Sequence, residues 1–326
     1  MKAALCTRYG PPEVLQIGEV DTPIPKDNEV RIKIHATTVT SGDVRMRKFD
    51  VPPLFWIPFR LAVGVTKLRK PILGFSLAGK IESAGKDVKR FNVGDKVFGS
   101  VGFSGGTYAE FKCLPETAVL TLLPDSISYD QAAAIMFGGA TSLHFLRKAD
   151  IQKGQRVLVY GASGSLGTAA VQLANHFGAE VTGVCSTANV ELVRSLGADH
   201  VIDYKKEDFT EVGETYDVIY DTVGYSPYSW CVRSLKKGGY YLRAVNMTLP
   251  TVIRGYWTKL AKGRKVVGGV ASEKVEDVEF IKELILNGEL TPVIDRTYQL
   301  EKIAEAHAYV EKGHKKGNVV ITIVGD

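Results

Sequence analysis

Two rhythms of apolar and polar positions divide the chain. Over residues 1–124, short apolar runs recur at 1–4, 15–20, 29–36, 77–83, 95–100 and 107–113, separated by turns such as Gly10-Pro11-Pro12. Runs of this length, bounded by glycine and proline, predict strands. Helical spacing is scarce there, so a mostly antiparallel, strongly bent sheet or partial barrel is expected. A short helix at 44–48 and a helical linker over 129–147 are the exceptions.

Beyond the linker the period changes. An apolar run at 157–160 enters a turn holding Gly161, Gly164 and Gly167, and Ala169, Ala170, Leu173, Ala174 and Phe177 then recur at spacings of three and four. Strands are predicted at 180–184, 200–203, 216–221, 240–245 and 265–270. Helices fall at 189–196, ended by Gly197, and at 227–235, halted by Gly238-Gly239. Strands alternating with helices argue for βαβ units, and six of them make a complete Rossmann sheet, doubly wound and parallel. A helix at 275–286, a strand at 293–299, a helix at 301–312 and a strand at 318–324 follow. These do not extend a six-stranded sheet readily, so they are assigned back to the first domain. The predicted α/β organisation is therefore 1–124 with 273–326 as one domain and 125–272 as the other. No internal repeat is visible.

The turn Gly161-Ala162-Ser163-Gly164-Ser165-Leu166-Gly167 carries the most chemistry. Strand, glycine turn and helix in that order suit a dinucleotide pyrophosphate, because glycines let backbone approach the phosphates and a helix N-terminus offers free N–H groups and positive dipole. Ala162 replaces the first glycine of the usual G-x-G-x-x-G pattern, so the pattern alone is weak and its context decides. The end of the second strand sets the cofactor. Enzymes that use NAD put an acid there for the ribose 2′-hydroxyl. This chain reads Gly183-Val184-Cys185-Ser186-Thr187-Ala188-Asn189, with no acid before Glu191. Ser186, Thr187 and Asn189 are candidate donors to a 2′-phosphate, so NADPH is expected over NADH.

Composition adds exclusions. The 326 residues suit two domains, and 41 basic against 36 acidic residues leave +5, which makes no case for nucleic acid. Cys6, Cys113, Cys185 and Cys231 are isolated, as in a reducing compartment. The chain opens without a targeting pattern, so a cytoplasmic protein is expected. His35, His144, His176, His200, His307 and His314 lack ligand spacing.

Ordered motifs along the whole length resemble a known family. They are Gly74-Phe75-Ser76-Leu77-Ala78-Gly79 with Glu82 and Gly85, Phe91-Asn92-Val93-Gly94-Asp95-Lys96-Val97-Phe98, and Gly106-Thr107-Tyr108-Ala109-Glu110. Further on come the run from Ala132 to Ser142, the glycine turn, and Gly197-Ala198-Asp199 with Asp203-Tyr204. The chain is similar to medium-chain dehydrogenases/reductases of the zinc-free quinone oxidoreductase branch, related to zeta-crystallin. The resemblance implies a GroES-like catalytic domain beside the Rossmann domain, hydride transfer in the cleft between them, and a homodimer acting on a small-molecule acceptor. It also implies a cofactor shell of Thr141, Tyr204, Asn246, Gly269, Val270 and Asn318 beside the turn, with Phe55, Trp56 and Phe137 around the acceptor. For Thr141 the alternative is a helix-interior hydroxyl bonding a carbonyl one turn back.

Zinc-dependent members carry a Cys and a Gly-His-Glu at the catalytic metal. Here the matching positions read Thr40-Ser41-Gly42-Asp43 and Gly74-Phe75-Ser76, and the four-cysteine lobe is missing. Phe cannot ligate zinc and Ser is a poor ligand, so no metal is expected. Without a Lewis acid, the fitting acceptors are quinones and α,β-unsaturated carbonyls, whose reduced forms are stabilised by conjugation. Such a site must hold acceptor and nicotinamide at about 3–3.5 Å and donate hydrogen bonds to the developing oxyanion. Thr40, Ser41 and Asp43 are the candidates, although relatives commonly carry Asn-Pro at the first two, and Asp43 reads equally well as a helix cap. A zinc-free alcohol dehydrogenase or ketone reductase, and a non-catalytic, crystallin-like NADPH-binding protein, are the alternatives. The segment 51–70 is aromatic, apolar and basic at its end. Prolines and Arg60 rule out a bilayer span. A core-covering loop with a short helix, a lid over the acceptor and a membrane-touching patch all remain open for it.

Overall fold

The computed structural model describes residues 1–51, 53–209, 213–245 and 249–323, with the side chains at 53–55, 103, 249, 252, 261 and 262 outside the description. Along the chain come β1 (Lys2–Cys6), β2 (Leu15–Glu19), β3 (Glu29–Val39), α1 (Ser41–Lys48), α2 (Pro53–Val63), β4 (Ser76–Ala84), β5 (Lys96–Ser100), β6 (Phe111–Pro115), β7 (Val119–Leu122) and α3 (Tyr129–Ala149). The Rossmann elements follow: β8 (Arg156–Tyr160), α4 (Ser165–His176), β9 (Glu180–Cys185), α5 (Val190–Ser195), β10 (His200–Asp203), β11 (Tyr216–Asp221), α6 (Tyr228–Arg233), β12 (Leu235–Arg243), α7 (Leu249–Lys262) and β13 (Lys265–Gly268). Last are α8 (Val275–Leu286), β14 (Ile294–Gln299), α9 (Ile303–Glu311) and β15 (Asn318–Thr322).

The chain divides into two compact units. One comprises 1–137, 273–282 and 292–326, and the other 138–272 and 283–291, so the first boundary falls inside α3.

In the first unit β1 and β2 form a hairpin, and a seven-stranded sheet runs β14-β15-β3-β4-β5-β7 with β6 also paired to β3. Its pairs are antiparallel except β14 with β15. Along β3 the residues Val30, Ile32 and Ile34 are fully buried, packing with Leu77, Ile81, Val97 and Leu120. That is the period-two alternation of a sheet with one face on a core. Strand β15 pairs antiparallel with β3 in this unit, while 283–291 fall in the other. Strand β6 starts later than the apolar pattern implies. The N–H groups of Gly106, Thr107 and Tyr108 all converge on the Leu73 carbonyl, which takes these residues out of the ladder.

In the second unit six strands run β10-β9-β8-β11-β12-β13, every neighbouring pair parallel. The order reverses between β8 and β11, and in an open sheet of this kind the ligand crevice lies beyond the carboxyl ends of the strands at that switch.

Candidate functional site

The glycine turn sits at the carboxyl end of β8. Gly161 has φ +83, and a Cβ there would stand 2.7 Å from Thr222 Oγ1 and 2.6 Å from Val223. Only glycine fits so close to the loop after β11. The Thr222 hydroxyl closes that loop onto the turn, 2.8 Å from the Tyr160 carbonyl. Gly167 is equally constrained, because a Cβ would meet Gly161 O at 2.1 Å. Helix α3 packs on the same place: a Cβ at Gly138 would lie 2.2 Å from Ser165 O, and the Ser142 hydroxyl donates to Leu166 O at 2.9 Å. Ala162 is buried, and opposite it lies Gly183 of β9, whose added Cβ would stand 3.1 Å from the Ala162 Cβ. The extra methyl in the turn is thus accommodated by a glycine missing its own.

Gly164 behaves differently. It is the N-cap of α4, with extended backbone (φ −82, ψ −179) and no side-chain cap. A Cβ there would touch only Gly161 O, at 3.6 Å. Two close-packed glycines therefore flank one that faces open space over an uncapped helix start. A pyrophosphate fits such a cradle by size, by donors and by sign of the dipole.

Asn189 links the turn to the end of β9. Its amide donates to Ser163 Oγ at 3.0 Å and to Ser186 Oγ at 3.3 Å, while its buried Oδ1 has no hydrogen-bond partner among the described residues. A buried amide oxygen in that condition is costly unless something donates to it, and a ribose hydroxyl has the right chemistry. Thr187 departs from expectation. Its hydroxyl donates to Asp203 Oδ2 at 2.6 Å, so its proton is committed inside the protein and is withdrawn from any 2′-phosphate. Asp203, the last residue of β10, also accepts from Lys205 N and pairs with Lys206 at 3.6 Å. The neighbouring strand thus places a carboxylate beside a β9 terminus that carries none, a pairing the spacing along the chain does not reveal. Tyr204 is half exposed and lines a cleft of about 410 Å³ with Tyr160, Val184, Lys205, Pro227 and Trp230.

Of the other expected cofactor residues, Thr141 lies one turn beyond Gly138 on α3 and is 8% exposed. Gly269 and Val270 follow β13, with Val270 open to solvent. Asn246 lies outside the described residues. Asn318 belongs to the first unit, where its amide donates to the Val293 carbonyl. Asp221 carries a role that sequence reading missed. Buried at the end of β11, it accepts from Val223 N, Gly224 N, Ser226 Oγ and Tyr241 OH, and so fixes the loop that covers Gly161.

In the first unit, Thr40 and Asp43 form a capping box on α1. Asp43 N donates to Thr40 Oγ1, and Thr40 N donates back to Asp43 Oδ2. The Thr40 hydroxyl donates to Asp43 Oδ2 at 2.6 Å, and Gly74 N donates to Oδ1 at 3.0 Å. Both residues are buried. This corrects the expectation that Thr40 donates to an acceptor, because its hydroxyl donates to the Asp43 carboxylate, and Asp43 takes the capping role. Ser41 is exposed at the first turn of α1 and remains the donor candidate. Ser76 Oγ shares a hydrogen bond of 2.8 Å with Thr38 Oγ1, beside Phe75. Among the described residues no group of three His, Cys, Asp or Glu side chains is gathered for a metal.

Segment 51–70 contains α2. Trp56, about half exposed, packs edge-on against Phe49, and the Arg60 guanidinium stacks over Tyr9, Phe49 and Trp56 at 4.4, 4.0 and 4.7 Å. Ile57, Leu61 and Val65 are exposed, Phe137 is half-buried, and the Phe55 side chain lies outside the description. Trp56 therefore joins a cation–π cluster and keeps 45% of its surface exposed. If that exposed surface walls an acceptor, Trp56→Ala is expected to raise KM for a bulky quinone about tenfold or more, from roughly 1.5–3 kcal/mol of lost apolar burial. Unchanged KM with a lowered Tm would assign the ring to packing alone.

Residues 26–125 match the profile of the alcohol dehydrogenase GroES-like domain, and 196–321 match one described as zinc-binding dehydrogenase. The chain is 33% identical over 359 residues to the mitochondrial NAD(P)H oxidoreductase RTN4IP1 of Bos taurus, covering 99% of this chain and 89% of that protein. It is 32% identical to 2-methylene-furan-3-one reductase of Solanum lycopersicum, covering 98% and 79%. The solved quinone oxidoreductase of Coxiella burnetii superposes with a TM-score of 0.89 at 29% identity, over 99% of each chain. With a GroES-like unit, a six-stranded Rossmann unit and Phe75-Ser76 at the position of the metal ligands, the chain belongs to the medium-chain dehydrogenase/reductase family, in its zinc-free, quinone-oxidoreductase-like branch.

Proposed function

We propose that the protein is an NADPH-dependent reductase of quinones or α,β-unsaturated carbonyls, acting on a small-molecule acceptor as a homodimer. The observation that carries the reading is the uncapped start of α4 under Gly164, with Gly161, Gly167 and Gly138 close-packed around it. Relatives named for NAD(P)H oxidation, quinone reduction and reduction of a furanone bearing a conjugated methylene support the acceptor class. When bound, the nicotinamide supplies the hydride. The residues of the chain then bind and orient. The start of α4 holds the pyrophosphate, Asn189 Oδ1 accepts from a ribose hydroxyl, Ser186 donates to a 2′-phosphate, and Ser41 donates to the oxyanion of the acceptor. Preference for NADPH rests on the acid-free end of β9, where the nearby Asp203 is engaged by Thr187, Lys205 N and Lys206.

Two measurements test this. Fluorescence titration is expected to give a lower Kd for NADPH than for NADH, and Ser186→Asp is expected to reverse the order, since a carboxylate accepts from a ribose hydroxyl and repels a phosphate. A tighter NADH complex in the unaltered protein sinks the preference. Rates of NADPH oxidation with quinones, enones and simple ketones are expected to rank conjugated acceptors first. Turnover of ketones alone would favour the alcohol dehydrogenase reading, and tight cofactor binding with no turnover the crystallin-like one. No helix of the described residues is long and apolar enough to cross a membrane.

A further inference from the structure

A dinucleotide lies across a Rossmann sheet at its switch point, with one nucleotide over each half. Ser186 and Asn189, the candidates for the 2′-phosphate and its ribose, lie beyond β9, and the pyrophosphate cradle lies beyond β8. The nicotinamide end is thereby left to the loops beyond β11 and β12. Two charged side chains hold those loops. Asp221 ends β11 and Arg243 ends β12, and they are direct partners in the parallel register, with Gly268 of β13 on the other side of Arg243. Asp221 is fully buried, and Arg243 keeps only 11% of its side chain exposed. At 3.9 Å the carboxylate and guanidinium offset each other's charge, while the hydrogen bonds of each go elsewhere.

Those bonds meet at Gly224, whose backbone is left-handed with φ +78. Asp221 Oδ1 accepts from its N–H at 2.7 Å, and Arg243 Nη2 donates to its carbonyl at 2.6 Å. Arg243 Nε donates to the Val245 carbonyl at 3.2 Å, in the other loop, and Nη1 is 3.5 Å from Thr251 Oγ1. Nε and Nη2 share one edge of a planar guanidinium, so a single rigid group spans the carbonyls of both loops. We infer that Arg243 is a positioning residue for hydride transfer, fixing the loops at 222–224 and 244–245 against each other so that the nicotinamide between them is held in one orientation. The inference rests on the reductase function proposed above. It matters because reacting atoms must stay about 3–3.5 Å apart and aligned, and a displacement of about 1 Å costs up to roughly a hundredfold in rate. Lysine cannot take the place of the arginine, since an ammonium has no edge that reaches two carbonyls in fixed geometry.

Arg243→Lys tests this, because it keeps a positive charge beside Asp221 and loses the fork. The Kd for NADPH is expected to rise about fivefold. The Kd for 2′-phospho-ADP-ribose, which is the cofactor without its nicotinamide, is expected to stay the same. With a conjugated acceptor, kcat is expected to fall about tenfold or more while KM for the acceptor holds. Equal weakening of both ligands would make Arg243 general scaffolding, and unaltered kcat would remove it from positioning; either result overturns the inference. If the variant fails to fold, hydrogen exchange on the unaltered protein decides. NADPH is then expected to protect the backbone at 244–245 more than 2′-phospho-ADP-ribose does, and equal protection overturns the inference. Failure of the unaltered protein to bind 2′-phospho-ADP-ribose at all would instead sink the functional reading on which this one stands.

Discussion

Replacing Gly164 by aspartate is expected to raise the Kd for NADPH at least a hundredfold while leaving the fold as stable as before, or slightly more so. Both halves follow from the same backbone. Gly164 sits at the N-cap of α4 in an extended conformation that any residue adopts, and a Cβ there meets nothing closer than 3.6 Å. Aspartate is a favoured N-cap, worth about 0.5–2 kcal/mol against a residue that cannot cap. Its carboxylate would then occupy the donors and cancel the positive potential that the proposed pyrophosphate needs. Gly167→Ala makes the contrast, since its Cβ would collide with Gly161 O at 2.1 Å and should lower Tm. Cofactor titration and thermal unfolding on both variants separate site from scaffold. Tight NADPH binding by Gly164→Asp would remove the turn from the cofactor site.

The second large effect is a dependence of stability on pH that runs opposite to the usual one for a carboxylate. Burial pushes the Asp43 carboxyl up to about 6, against the donors from Thr40 and Gly74, which favour its charged form. In the unfolded chain an aspartate titrates near 3.9. Between about pH 4 and pH 6 the native protein therefore binds more protons than the unfolded one, and stability falls as pH rises through that window. Two pKa units correspond to roughly 3 kcal/mol, present in full below pH 4 and lost above pH 6. Burial holds the His307 imidazole down at about 3, which makes stability rise with pH over the same window, so the loss is read as a difference: between pH 4.5 and pH 7 denaturant unfolding is expected to show the unaltered protein losing stability relative to Asp43→Asn. Parallel curves would mean that the capping box holds the carboxylate without penalty. Asp43→Ala is expected to destabilise at every pH, because the N–H groups of Thr40 and Gly74 lose a buried acceptor at about 1–3 kcal/mol each.

What the sequence made legible follows from which forces act locally. The Rossmann strands show as apolar runs because they are buried on both faces, as Val157, Leu158 and Val159 are, and the glycine turn shows because its constraints lie within seven residues. Helix α7 and strand β7 escaped. Pro250 and Gly255 interrupt α7, and its apolar face looks outward, so no core-facing stripe marks it. Strand β7 is four residues long, and β12 begins at Leu235, ahead of the Gly238-Gly239 pair that reads as a break. At the site, Ser163, Ser186 and Asn189 belong to neighbouring loops and were found together. The bonds from Thr187 to Asp203 and from Thr40 to Asp43 change what those hydroxyls can do, and a count of side-chain types carries no trace of where a proton is pinned.

The pairing of β3 with β15 has a consequence for how the chain is made. Val39 finds its partner in Val319, so the middle of the first sheet exposes an unpaired edge until the last strand has left the ribosome. The second unit draws its six strands from one uninterrupted stretch, 138–272, and is free to close during synthesis. An order of events is therefore built into the topology, with the Rossmann unit first and the GroES-like unit waiting on strand β15. Nascent chains stalled before residue 313 are expected to protect 138–272 from protease while 1–137 is still cut.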